Sequence, residues 1–259
     1  LMSRETLLLV NNVLLLVACA AVLLGTLYPL LADAFMNDKI SVGKPFFDTV
    51  FAPLMLPLVF VLGIGPLTRW KRDSLATLAR RTTVSLVIAF SLGTTAAAML
   101  GSATQIMVVI ALALSVWVVL TTLQAIWSRI ANKQNKLGAV LSMPAEFVGM
   151  TMAHVGLAVF VVGVTITSTF STERDVSLRP GESHELAGYK FEFAGVEEGQ
   201  GPNYRSQMGR VRLYEGDQLI AVLRPEKRHY PIQAQPMTEA AVNVGAFRDL
   251  YVALGEQLG

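Results

Sequence analysis

The chain has 259 residues, of which 53% are hydrophobic and only 15% charged, far from the composition of an average soluble domain. A net charge of +2 and the lack of a basic stripe interleaved with aromatics argue against a nucleic-acid partner. One cysteine, Cys19, leaves no internal disulfide, CxxC redox pair or zinc cluster, and there is no P-loop, GxGxxG or HExxH.

Apolar runs of spanning length predict a polytopic α-helical membrane protein with a C-terminal extramembrane β-domain. About five transmembrane helices are expected, at 6–33, 48–68, 82–100, 105–127 and 147–169. In the first, Arg4 and the run to Leu16-Val17-Ala18-Cys19 look like a lipoprotein signal, but the apolar stretch continues to Leu31. A membrane helix is the better reading. Pro53 and Pro57 fall on one face of the second and predict a kink. Tyr28 and Trp70 are expected at the membrane interfaces, and Trp117 and Trp127 read as ordinary helix residues.

Basic residues orient the helices. Arg69, Lys71, Arg72, Arg80 and Arg81 lie between helices two and three, and Arg129, Lys133 and Lys136 between four and five. The positive-inside rule makes both loops cytoplasmic. The loop 34–47, where Lys39 and Lys44 are balanced by Asp38 and Asp48, then lies outside, and helix five delivers residues 171–259 to the periplasm of a bacterium.

The fifth run, PAEFVGMTMAHVGLAVFVVGVTITSTF, holds the candidate site. From Phe147 to Phe170 its one ionisable side chain is His154. An intramembrane imidazole is costly and usually partnered; it suits a metal or haem iron, or a hydrogen bond to a neighbouring helix. Gly149, Ala153, Gly156 and Gly163 form a small-residue stripe that would let a helix or flat ligand approach, and His154 is read as lying just beside it.

After Phe170 the pattern changes to period-two alternation, which predicts the domain 171–259 as a small barrel or sandwich following the helical domain 1–170. Tyr189–Phe193 alternates cleanly. Arg210–Leu213 and Gln218–Leu223 flank the hairpin signal Glu215-Gly216-Asp217, and further strands are expected at 238–244 and 248–254. Arg205, Arg210, Arg212, Arg224, Lys227 and Arg228 make the region locally basic, read as a solvated strand face rather than a contact for haem propionates or an acidic partner. His184 and His229 are assigned turn or strand roles.

Six stretches spread over nearly the whole chain, GTLYPLLADA (25–34), ISVGKPFFDTVFAPLMLPLVFVLGIGPLTRW (40–70), AHVGLAVFVVGVT (153–165), PEKRHY (225–230), MTEAAV (237–242) and RDLYVALGE (248–256), are in order and spacing similar to the C-terminal half of the cytochrome c-type biogenesis (CcmF) family. The resemblance implies a bacterial inner-membrane subunit of the cytochrome c haem lyase (holocytochrome c synthase). Such proteins take haem from the chaperone CcmE, join its vinyl groups to the two thiols of apocytochrome c, and work with maturation subunits such as CcmH. They also hold a permanent haem b, and the resemblance makes His154 an axial ligand of its iron. The tryptophan-rich WWD segment, two periplasmic histidines, a second transmembrane histidine and a final membrane helix are missing here, and Lys44 and Asp48 are more charged than usual for the family. The resemblance therefore implies an incomplete or split subunit whose second haem ligand comes from the family's N-terminal half or from His154 of another copy. No catalytic residue is assigned. The alternatives are a non-catalytic assembly module docking partner subunits, or the paralogue dedicated to a nitrite reductase cytochrome; a transporter is disfavoured because no inverted repeat is evident.

Overall fold

The computed structural model describes residues 4–36, 40, 42–68, 74–102, 105–231, 236–246 and 248–256. Arg69, Trp70, Lys71 and Arg72, and likewise Asp38 and Lys39, lie outside the described residues, as does the side chain of Lys44. The chain divides into two compact units, Leu1–Phe170 and Ser171–Gly259.

The first unit is helical: α1 (Arg4–Met36), α2 (Lys44–Phe46), a π turn (Phe47–Phe51), α3 (Ala52–Ile64), a 3₁₀ turn (Gly65–Leu67), α4 (Leu75–Met99), α5 (Ile106–Ile130), α6 (Lys136–Leu141) and α7 (Ala145–Phe170). Five spans among them, Arg4–Met36, Phe47–Leu67, Ala76–Met99, Ile106–Ile130 and Ala145–Phe170, are long and apolar enough to cross a membrane. The π turn sits where Pro53 enters α3. A proline ring crowds the carbonyl four residues back, and a wider turn there relieves the crowding. Helix α4 starts seven residues earlier than the apolar run suggests, because Ser74 caps it by accepting from the Thr77 amide at 3.3 Å. Arg80 and Arg81 are therefore exposed helical residues rather than part of a loop.

Helix α5 is the hub, packed by α3, α4 and α7. Trp117, 1% exposed, stacks on Phe60 with ring centroids 5.7 Å apart, and its Nε1 donates to the Phe60 carbonyl at 3.1 Å. It fills the space left by Gly63, whose missing Cβ would lie 2.2 Å from Nε1. Gly93 lets α4 press against α5; a Cβ there would stand 2.5 Å from the Ala113 backbone. Val59, Ala89, Trp117, Val118 and Ala158 form one buried cluster, and Ala97, Val108, Val109 and Leu112 another, with Val162 against it.

Among its described residues the second unit has eight strands: β1 (Ser183–Leu186), β2 (Tyr189–Gln200), β3 (Arg205–Glu215), β4 (Gln218–Leu223), β5 (Glu226–His229), β6 (Met237–Glu239), β7 (Ala241–Val244) and β8 (Asp249–Val252). A six-stranded antiparallel sheet runs β1-β2-β3-β5-β6 with β4 also on β3, and β7-β8 form a separate ribbon. Ala241, Leu250 and Val252 of the ribbon pack on a core of Val211, Leu213 and Leu223, so the two layers make a sandwich. The single strand expected at 238–244 divides at Ala240, because β6 adds to the large sheet while β7 pairs with β8.

Candidate functional site around His154

His154 lies near the middle of α7 and is half-buried. Its Nδ1 stands 2.8 Å from the Met150 carbonyl oxygen. A carbonyl only accepts, so Nδ1 carries the proton and the lone pair of neutral imidazole is on Nε2. That nitrogen has no hydrogen-bond partner among the described residues. A ring held through Nδ1 by a backbone carbonyl with Nε2 left open is the arrangement a metal-binding histidine requires.

The surroundings differ from the sequence reading in one respect. His154 is not beside the small-residue stripe. It lies one turn before buried Ala158 on the side of α7 that packs against α5, whereas a Cβ placed on Gly149, Gly156 or Gly163 would meet nothing within 4 Å. At about 100° per residue, Gly149 and Gly156 are more than a third of a turn from His154. The glycines face open space; the imidazole faces the bundle. A groove of about 360 Å³ lined by Phe160, Gly163, Val164, Thr167 and Ser168 belongs to the glycine side and to the far end of α7, and does not include His154.

The donor set fits one axial position of a haem. Among the described residues no group of three or more His, Cys, Asp or Glu is placed to hold a metal ion, and the remaining histidines, His184 in β1 and His229 in β5, are strand residues of the other unit. A haem on His154 thus takes from this chain one nitrogen ligand.

Four of the six basic residues that the sequence singles out in the second unit are ion-paired within it. Arg210 pairs with Glu197 at 2.5 Å, Arg212 with Glu192 at 2.6 Å, and Arg228 with Glu226 at 2.9 Å and Glu239 at 3.2 Å. Lys227 is 7% exposed; its Nζ donates to Glu256 at 2.6 Å and to the Gly255 carbonyl at 3.2 Å. The Arg212 hydrogen bond holds the Glu192 carboxyl below the usual range, and the Lys227 bond does the same for Glu256. Arg228 also lies 4.8 Å over the Tyr204 ring. Apart from Glu226, which shares β5 with Arg228, each acid lies on another strand or in the C-terminal segment, where sequence reasoning could not pair it. Sequence reasoning also missed Trp117, whose role as the packing anchor of α5 depends on Gly63 across the interface.

Residues 169–259 match a family model described as the CcmF C-terminal beta-sandwich. The chain is 43% identical to the cytochrome c-type biogenesis protein CcmF of Pseudomonas fluorescens, over 99% of this chain and 39% of that protein. The chain is similar to part of CcmF. Against CcmF of Haemophilus influenzae the identity is 36%, over 99% of this chain and 40% of the relative; against that organism's NrfE, also named a cytochrome c-type biogenesis protein, it is 28% over 99% and 39%. A solved structure of "Cytochrome c Heme Lyase CcmF" superposes with a TM-score of 0.64 at 23% identity, covering 95% of this chain and 38% of that one, a likeness of fold. The chain spans about two fifths of the length of these relatives.

Proposed function

We propose that this chain acts in cytochrome c biogenesis as part of a haem lyase, with His154 an axial ligand of a b-type haem held in the inner membrane. The observation that carries the reading is the state of the imidazole: proton fixed on Nδ1 by the Met150 carbonyl, Nε2 free, in a spanning helix of a chain matched to CcmF proteins along 99% of its length. The haem supplies one-electron exchange at its iron. His154 presents a neutral nitrogen in one orientation, and the α5–α7 interface shields one side of the ring from lipid and water. The second ligand, and the surfaces that bring apocytochrome c, CcmE and CcmH to the thioether chemistry, belong in this reading to the N-terminal part of a CcmF-type protein, and Ser171–Gly259 is a periplasmic unit. The nitrite reductase paralogue is the second reading. The higher identity to Haemophilus influenzae CcmF than to the same organism's NrfE, 36% against 28%, supports the first.

The test is optical. The chain, co-expressed with the N-terminal part of a CcmF protein and purified, is expected to give a reduced b-type haem spectrum that His154→Ala abolishes and that His184→Ala and His229→Ala leave intact. A spectrum unchanged by His154→Ala overturns the assignment.

A further inference from the structure

Thr122 of α5 is fully buried, and its hydroxyl is the one buried side-chain polar atom left without a hydrogen-bond partner among the described residues. In a helix a threonine hydroxyl ordinarily returns to the carbonyl four residues back, here Val118. That oxygen already accepts from Thr121 at 3.1 Å. An unpaired buried hydroxyl is costly enough to require an explanation.

The explanation lies across the α5–α7 interface. The two helices run antiparallel: Arg129, near the end of α5, lies 3.9 Å over the ring of Phe147 near the start of α7, while Val162 near the end of α7 packs against the cluster that holds Val108, Val109 and Leu112 near the start of α5. Thr122 is seven residues before Arg129, and His154 seven after Phe147. Seven residues is about two turns and about 10 Å of rise, so each stays on the same side of its helix as the residue in contact. One turn further on, Val118 and Ala158 share a buried cluster. Thr122 and His154 are therefore level, on facing sides of the two helices, bracketed by a contact below and one above. One brings an orphan hydroxyl, the other an orphan nitrogen lone pair.

We infer that Thr122 is the positioning residue of the His154 site: the structure leaves the two atoms unbonded, and a swing of the threonine to its other helical rotamer lets the hydroxyl donate to His154 Nε2, a lone pair it yields when iron arrives. With Met150 on Nδ1 and Thr122 on Nε2, both nitrogens are engaged, and the imidazole stays in the tautomer that binds iron without lying unpaired in the membrane. This rests on the haem reading of His154 only in its second half; the pairing itself does not require haem.

The experiment separates the two. The full chain is labelled with ¹⁵N-histidine and purified in detergent without haem, and the His154 resonances are assigned by their loss in His154→Ala. Thr122→Val, which removes the hydroxyl and keeps the shape, is expected to move Nε2 toward the downfield position of an unbonded nitrogen while Nδ1 stays in place, and Thr122→Ser to restore it. Thr122→Ala makes the same measurement should the valine disturb packing. In a hemin titration the valine variant is expected to bind about 3- to 10-fold tighter, since one competing hydrogen bond is gone. An Nε2 resonance indifferent to the hydroxyl, or weaker hemin binding by the valine variant, overturns the inference. If Nε2 moves but hemin binds neither protein even with the N-terminal part of a CcmF protein present, the Thr122–His154 pair stands and the haem assignment fails.

Discussion

Lys227 shows how a single charge can hold down a chain end. A lysine on a buried strand face is tolerated when its ammonium finds both a carboxylate and a carbonyl, and Glu256 and Gly255 provide them. The Glu256 carboxyl is held below its ordinary pKa of 4.5 chiefly by that hydrogen bond. A depressed carboxylate pKa contributes stability that is fully present above the unfolded value and is lost as pH falls through the folded one. Residues 253–256 are thus expected to be more protected against amide exchange, relative to the intrinsic rate at each pH, at pH 7 than below about 4.5. Lys227→Met should remove that acid-dependent step from the exchange profile. Nothing in the local sequence announced this contact: Glu226-Lys227-Arg228-His229 has no apolar alternation, and β5 forms because Ser206 to Met208 offer it a paired edge. His154, by contrast, was legible as the only ionisable group of its run. Its orientation was not, because the face a helix buries depends on its neighbour and not on its own small residues.

The elements that were easy to read are those whose signal is local. Five apolar runs gave five spanning helices, and Glu215-Gly216-Asp217 gave the β3–β4 turn, with Gly216 at φ +58°. The β1–β2 turn escaped notice because Ala187 and Gly188 both adopt positive φ, at +52° and +83°, without the Asn-Gly or Asp-Gly signature of such turns. Helix packing is where sequence says least. Gly63 and Gly156 look alike in an apolar run, yet only Gly63 faces a ring. Gly63→Ala should destabilise the helical unit by roughly 1–3 kcal/mol, because the Trp117 indole is wedged between α3 and α5 and has nowhere to retreat. Gly156→Ala, opening onto empty space, should leave stability unchanged or raise it slightly through helix propensity. Thermal unfolding in detergent micelles of both variants makes the comparison; equal shifts would mean that the α3–α5 interface is looser than the Trp117–Phe60 stack indicates.

At the level of the whole molecule, one argument about charge decides which compartment the sandwich meets. The cationic groups of the helical unit concentrate at two places along the chain: around residues 69–81, and at Arg129, Lys133 and Lys136 between α5 and α7. In the proposed orientation the five spans among the described residues, an odd number, put the two ends of the helical unit on opposite sides, with both basic segments on the cytoplasmic side that the translocation bias against Lys and Arg favours. Residues 171–259 would then stand outside, as the proposed function requires. Cys19 is the only native thiol, so a Cys19→Ser background permits a clean labelling test. Asp217→Cys, at the β3–β4 turn, is expected to react with a membrane-impermeant maleimide in intact cells whose outer membrane has been opened. Asn135→Cys, between α5 and α6, should react only after the inner membrane is lysed. The reverse pattern would put the sandwich in the cytoplasm, where it would be removed from apocytochrome c, and would overturn the proposed role together with the orientation.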